Sequence, residues 1–261
     1  MLFNFTLVPV ENVRPWGELG NLKLHWFGLT DGQYWIEAGE ASLLEYSKQV
    51  REKFGGPRYC DYQVVRLYED VLDIASFVLD PIPSILVPYI SGVSGQAWRA
   101  TFRSWKESHD DHRDNDRVWE IEDAASRLTL CRYLDTGYLT PSSKIFLWSD
   151  ESMVHIEWDN RDKLFEGVQT WSAVQGAYAL PREQFVSEIQ SFHSRLMEQM
   201  AVRVDLVLAG ALSSDIQIDL PGLQEEHEFR SLPIDRTIAR SLQPTDWQRV
   251  HEAIQEVVGW E

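Results

Sequence analysis

Two periods of hydrophobic residues divide the chain into strand-like and helix-like stretches. Phe3, Phe5 and Leu7 alternate with Asn4 and Thr6, which predicts a first strand. A hairpin is predicted over Leu22–Ala38, turning at Asp31-Gly32, because Asp and Gly tolerate the positive φ of a type I′ turn. That register sets Leu29 opposite Tyr34, Gly28 opposite Trp35, Phe27 opposite Ile36 and Trp26 opposite Glu37. One face then carries Phe27, Leu29, Tyr34 and Ile36, and the other Leu24, Trp26, Gly28 and Trp35. Both faces are apolar, so both need cover.

Helical spacing follows. Helices are expected at Ser42–Phe54, stopped by Gly55-Gly56-Pro57, and at Asp61–Leu79, ended by Pro81. Shorter ones are expected at Ser84–Ile90 and Ser94–Lys106. After a polar loop, an apolar stripe resumes from Arg117 through Val118, Ile121, Ala125, Leu128 and Cys131. A second β region is read at Lys144–Ser149, Met153–Asp159 and Thr170–Leu180, with a turn at Asp150-Glu151. Pro181 then suits the first position of a long helix whose apolar face runs from Phe185 to Leu208. The last helix begins at TDWQ, where Thr245 and Gln248 form a capping box. Strands on both sides of a helical middle predict an α+β fold in a single domain, residues 1–261. Its sub-regions are β-rich (1–60), helical (61–134), β-rich (138–180) and helical (181–261).

Composition narrows the function classes. Forty-one acids against 24 bases leave a net charge of −17 over 261 residues. Such a chain is repelled by nucleic-acid phosphates and anionic lipid, and attracts a basic protein over long range. Cys60 and Cys131 form no CxxC and predict two reduced, buried thiols in a cytoplasmic protein. MLFNFTLVPV lacks the basic and apolar regions of a secretory signal, and no apolar run has the length of a bilayer span.

Three groups of residues are candidates for function. The stretch ESHDDHRDNDRVWEIED, 107–123, holds eight acids and two arginines. It supplies a contact region for a basic partner in Asp110, Asp111, Asp114 and Asp116, with Trp119 as an anchor. In the second β region His155, Glu157 and Asp159 alternate with Val154, Ile156 and Trp158, so one sheet face presents a histidine and two carboxylates. That row is a possible metal or acid–base face, with Glu37 joining if both β regions share a sheet. Strand alternation alone also produces such a polar row. HDDHRD has ligand residue types without the spacing of a zinc helix or a calcium loop, and GxSxG, Walker and GxGxxG motifs are absent from the chain. No catalytic residue, cofactor or metal site is predicted, and oligomeric state is left open.

Pro15-Trp16-Gly17, LHWFGLTDGQYWI (Leu24–Ile36), HIEWDNRD (His155–Asp162) and SFHSRLMEQMAVRV (Ser191–Val204) together resemble a bacterial family known as a domain of unknown function. The resemblance spans nearly the whole chain and is weakest at Tyr62–Ser108. It implies a bacterial origin and one evolutionary unit, and carries no activity, cofactor or site residue with it. The functional expectation is therefore an acidic, non-enzymatic immunity or antitoxin-like protein that neutralises a basic toxin. An enzyme or a small-ligand or metal sensor built on the His155 row is the alternative.

Overall fold

The computed structural model describes residues 1–18, 20–110, 115–238 and 244–259. The fold is α+β, as the periodicities predict. Its first sheet has four strands: β1 (Phe3–Leu7), β2 (Asp31–Ala38), β3 (Ala41–Leu43) and β4 (Cys60–Gln63). β2 is central and antiparallel to the others. β1 pairs along one edge, Phe3 opposite Ile36 through Leu7 opposite Gly32, while β3 and β4 share the other edge. A second, three-stranded antiparallel sheet orders β5 (Ile145–Ser149), β6 (Met153–Asp159) and β7 (Gln175–Pro181) with β6 in the middle.

The hairpin at Asp31-Gly32 does not form. Gly28–Thr30 coil into a short 3-10 helix, and Asp31-Gly32 open the central strand. A distant segment displaces the local turn: β1 pairs with β2, and the Val8 amide donates to the Asp31 carbonyl at 2.9 Å. The Thr30 hydroxyl secures the coil, donating to the Phe27 carbonyl (2.7 Å) and accepting from the Val65 amide (3.3 Å). Trp26, Leu29, Tyr34 and Ile36 are buried, so those side chains serve the core. Trp35 stands opposite Asn4 and not Gly28; it stacks on Tyr59 with ring centroids 4.0 Å apart and donates its indole N–H to Glu37 at 2.7 Å.

The helix expected at Ser42–Phe54 is confined to α1 (Lys48–Phe54), because Ala41–Leu43 pair with β2 and the Ser47 hydroxyl caps the Val50 amide. α2 (Val64–Val78) likewise starts later than expected, since Cys60–Gln63 are held in β4. α3 (Gly92–Ser108) and α4 (Asp116–Ser126) follow, α4 capped by the Asn115 side chain. The apolar stripe does not carry helix on to Cys131, whose φ of 52° places it in an exposed turn. α5 (Arg182–Leu208) begins one residue after Pro181, which is the last residue of β7. α6 (Leu220–Arg230) packs on it. α7 (Trp247–Val258) is capped by Asp246, whose carboxylate accepts from the Arg249 amide at 3.1 Å, in place of the expected Thr245 box.

Two hydrophobic clusters result. Phe3, Phe5, Tyr34 and Ile36 on β1 and β2 meet α2 and α5, with Phe3 stacked on Phe192 at 5.6 Å. Ile145, Leu147, Val154 and Ile156 of the second sheet belong to this cluster. On the opposite face of β5, Phe146 and Trp148 join a second cluster with α3, α4 and α7. β5 is buried along its whole length because each face has its own cover.

Only one of the two thiols is buried. Burial pushes the Cys60 thiol up to about 12 against the opposing Tyr34 hydrogen bond, whereas Cys131 is open to solvent. Native protein is expected to consume one equivalent of an aromatic disulfide reagent at Cys131, with Cys60 reacting only on unfolding. Two equally fast thiols in a thiol titration would contradict this placement.

Candidate functional site

α4 presents the acidic stretch. Val118, Ile121, Ala124 and Ala125 face the α7 residues Val250, Ala253, Ile254 and Val257. A helix buries one stripe, so the residues out of phase with it point outward. Trp119 is among them and is 61% exposed, the most exposed tryptophan among the described residues. Helical spacing sets Asp116, Glu122 and Asp123 beside it. Part of this charge is already paired: Glu122 with Lys106 (3.7 Å), Asp123 with Arg127 (3.1 Å), and Arg117 with both Glu120 and Glu256. Asp110 is exposed just beyond α3. Asp111 and Asp114 lie outside the described residues.

The row on β6 has the alternation expected of it, but its members are held separately. His155 Nε2 meets Asp150 Oδ2 at 2.8 Å, and its ring stacks on Trp148 at 4.0 Å. Partial burial pushes the Asp150 carboxyl up, but hydrogen bonds from His155, the Met153 and Ser152 amides and the Ser152 hydroxyl prevail and hold it well below the usual carboxylate range. Glu157 Oε1 accepts from Ser91 Oγ (2.5 Å) and Trp148 Nε1 (2.9 Å). Asp159 is gripped by Arg161 through two bonds of 2.8 and 2.7 Å, chiefly for which its carboxyl titrates low. Glu37 is in the other sheet and accepts from Trp35 and from Ser42 Oγ (2.9 Å). The two β regions do not share a sheet, so Glu37 does not complete the row. Among the described residues no three His, Cys, Asp or Glu side chains gather as a metal site.

Part of the row does line a cleft of about 430 Å³. Glu157 and Asp159 are among its lining residues. Ser91 is the N-cap residue of α3 and Arg99 lies near its middle, Tyr133 comes from the connection after α4, and Lys144 from the entry to β5. Arg99 Nη1 donates to the Ile90 carbonyl at 2.9 Å, which fixes its stem. Tyr133 and Phe146 pack with ring centroids 4.6 Å apart and make the apolar wall. Burial raises the Tyr133 hydroxyl pKa, with Arg99 opposing and Glu157 adding, so both charged groups act on the tyrosine. Ser91 and Arg99, Tyr133, and Lys144 come from three separate segments with no common motif, and the strand pattern marks only the carboxylates.

A family model describing a family of unknown function, DUF5984, matches residues 2–253. The chain belongs to the DUF5984 family. The match over nearly the whole chain agrees with the expected membership of a family of unknown function. No curated protein and no solved structure matches the chain. Among the described residues no helix is long and apolar enough to cross a membrane.

Proposed function

We propose that this DUF5984 protein is a non-enzymatic bacterial protein of the cytoplasm that binds a basic protein, in the manner of an immunity or antitoxin protein neutralising a toxin. The outer face of α4 is its contact surface. The observation that carries this reading is the solvent-exposed Trp119 indole set among carboxylates on a helix whose other side is fully used in packing. A large exposed aromatic is a typical anchor, and charged neighbours supply steering and orientation. The net charge of −17 adds a long-range attraction for a cationic partner. Most of the other tryptophans support the core, so the surplus of rings does not itself argue for binding.

The test uses wild-type and Trp119→Ala proteins as paired baits in the native host, followed by kinetics on the purified pair. The expected partner is one basic protein, held by the wild type and at least tenfold more weakly by Trp119→Ala, in line with a hot-spot loss of about 2 kcal/mol. Its association rate should fall about tenfold between ~50 and ~300 mM salt. Equal capture by both baits would remove α4 from the contact, and a salt-independent rate would remove the electrostatic half of the proposal.

A further inference from the structure

The cleft on the second sheet brings together charged side chains of both signs. In a protein of net charge −17 it brings together two cations, Arg99 and Lys144. Of the two carboxylates there, Asp159 is already neutralised by Arg161. Arg99 uses one Nη1 bond on the Ile90 carbonyl, and its Nε and Nη2 donors have no protein acceptor among the described residues. The Lys144 ammonium makes no hydrogen bond or close ion pair there either, although its charge acts on Asp159. Glu157 differs: both its hydrogen bonds end on Oε1, leaving Oε2 to accept. The Trp158 indole N–H, buried in a residue that lines the same cleft, also lacks an acceptor among the described residues.

Unused donors, an unused carboxylate oxygen and a pair of packed rings lining one cleft specify a ligand by its chemistry. We infer that the cleft binds a small carboxylic acid bearing a hydroxyl or ammonium group and an apolar body of about ring size. Arg99 and Lys144 hold the carboxylate, Glu157 Oε2 takes the hydroxyl or ammonium, and the Tyr133–Phe146 wall covers the apolar part. A volume of about 430 Å³ lies within the range of small-molecule sites. The anion comes first in this ranking because a guanidinium presents paired donors suited to a carboxylate. The inference is independent of the α4 contact and stands or falls without it.

A matched series of probes tests it on the full-length protein by calorimetry and thermal shift: L-phenylalanine, phenyllactate, hydrocinnamate and phenethylamine, with inorganic phosphate as a fifth. L-phenylalanine and phenyllactate are expected to bind saturably and raise the melting temperature. Hydrocinnamate, which lacks the second polar group, should bind about tenfold more weakly, and phenethylamine, which lacks the carboxylate, should not bind. Arg99→Met should abolish binding of both acids. If that variant does not fold, the exposed Lys144→Met should weaken them at least fivefold at an unchanged melting temperature of the free protein. Glu157→Gln should reduce the preference for L-phenylalanine over hydrocinnamate. Failure of all probes at roughly 10 mM, binding of the amine as tightly as the acids, or phosphate matching the acids would each overturn the assignment.

Discussion

Gly32→Ala is expected to lower the unfolding free energy by about 3 kcal/mol, seen as a lower urea midpoint at an unchanged slope. A Cβ at this position would stand 2.4 Å from the Thr6 carbonyl oxygen and 3.0 Å from Leu7 Cα, both in the backbone of β1. It would also press on Val64 at 3.1 Å. Backbone atoms in a paired strand cannot swing aside as a long side chain does, so β1 must move and take its ladder with it. The gain of about 0.5–1 kcal/mol that alanine normally brings to a strand is too small to offset this. Asparagine separates the two explanations for this glycine. If Gly32 were needed for a positive φ in a turn, Gly32→Asn would be tolerated. Because it is needed for close approach in an extended strand, Gly32→Asn should be at least as damaging as Gly32→Ala. An asparagine variant of wild-type stability would contradict the observed pairing of β1 with β2.

Asp70→Asn should remove a component of roughly 3–4 kcal/mol from the pH dependence of stability. Asp70 is buried on α2. It accepts from the Tyr138 hydroxyl at 3.2 Å and pairs with Arg66 at 3.5 Å, and Tyr138 in turn accepts from Tyr34 at 2.9 Å. Burial pushes its carboxyl up to about 7 from 3.8, with Asp135 and Asp73 adding and Arg66 and Tyr138 opposing. In the unfolded chain this group loses its proton near pH 4, whereas in the folded chain it keeps it until about pH 7. Between these values the folded state binds more protons, so the contribution is full below pH 4 and is lost as pH rises through 7. Asparagine has no proton to lose. The stability difference between Asp70→Asn and wild type should therefore shift in favour of the variant from pH 4 to pH 8, measured by urea unfolding across that range. Parallel profiles would mean that Asp70 is ionised throughout.

Gly32 also shows how far a sequence reading reaches. Asp31-Gly32 has the strongest hairpin signature in the chain, and it is wrong for a physical reason. A local turn competes with strand pairing, and the five-residue ladder from β1 outweighs one turn. Glu37 joins the His155 row only if both β regions share a sheet, which no local pattern can report. The candidate cleft was half legible. Alternation along Met153–Asp159 marks Glu157 and Asp159 as sharing a face, but Arg99 and Tyr133 become neighbours only when α3 and the connection after α4 fold over that face. Trp119 could be named from its acidic setting, yet its exposure depends on which side of α4 meets α7.

By itself the sequence determined the element types wherever an apolar period was long and undisturbed: β1, β6, and the long run of α5 from Phe185 to Val207. It also determined the α+β class and the acidic character. A side chain's tendency to be buried is a property of that side chain, and its period along the backbone is set by local geometry. Tertiary structure alone decided which strands pair, that the two sheets are separate, and that β5 is covered on both faces. It also decided that two cations and a partly free carboxylate converge on one cleft. Those outcomes depend on segments far apart in the chain competing for the same hydrogen bonds and the same apolar faces, and periodicity records that a face needs cover without recording what provides it.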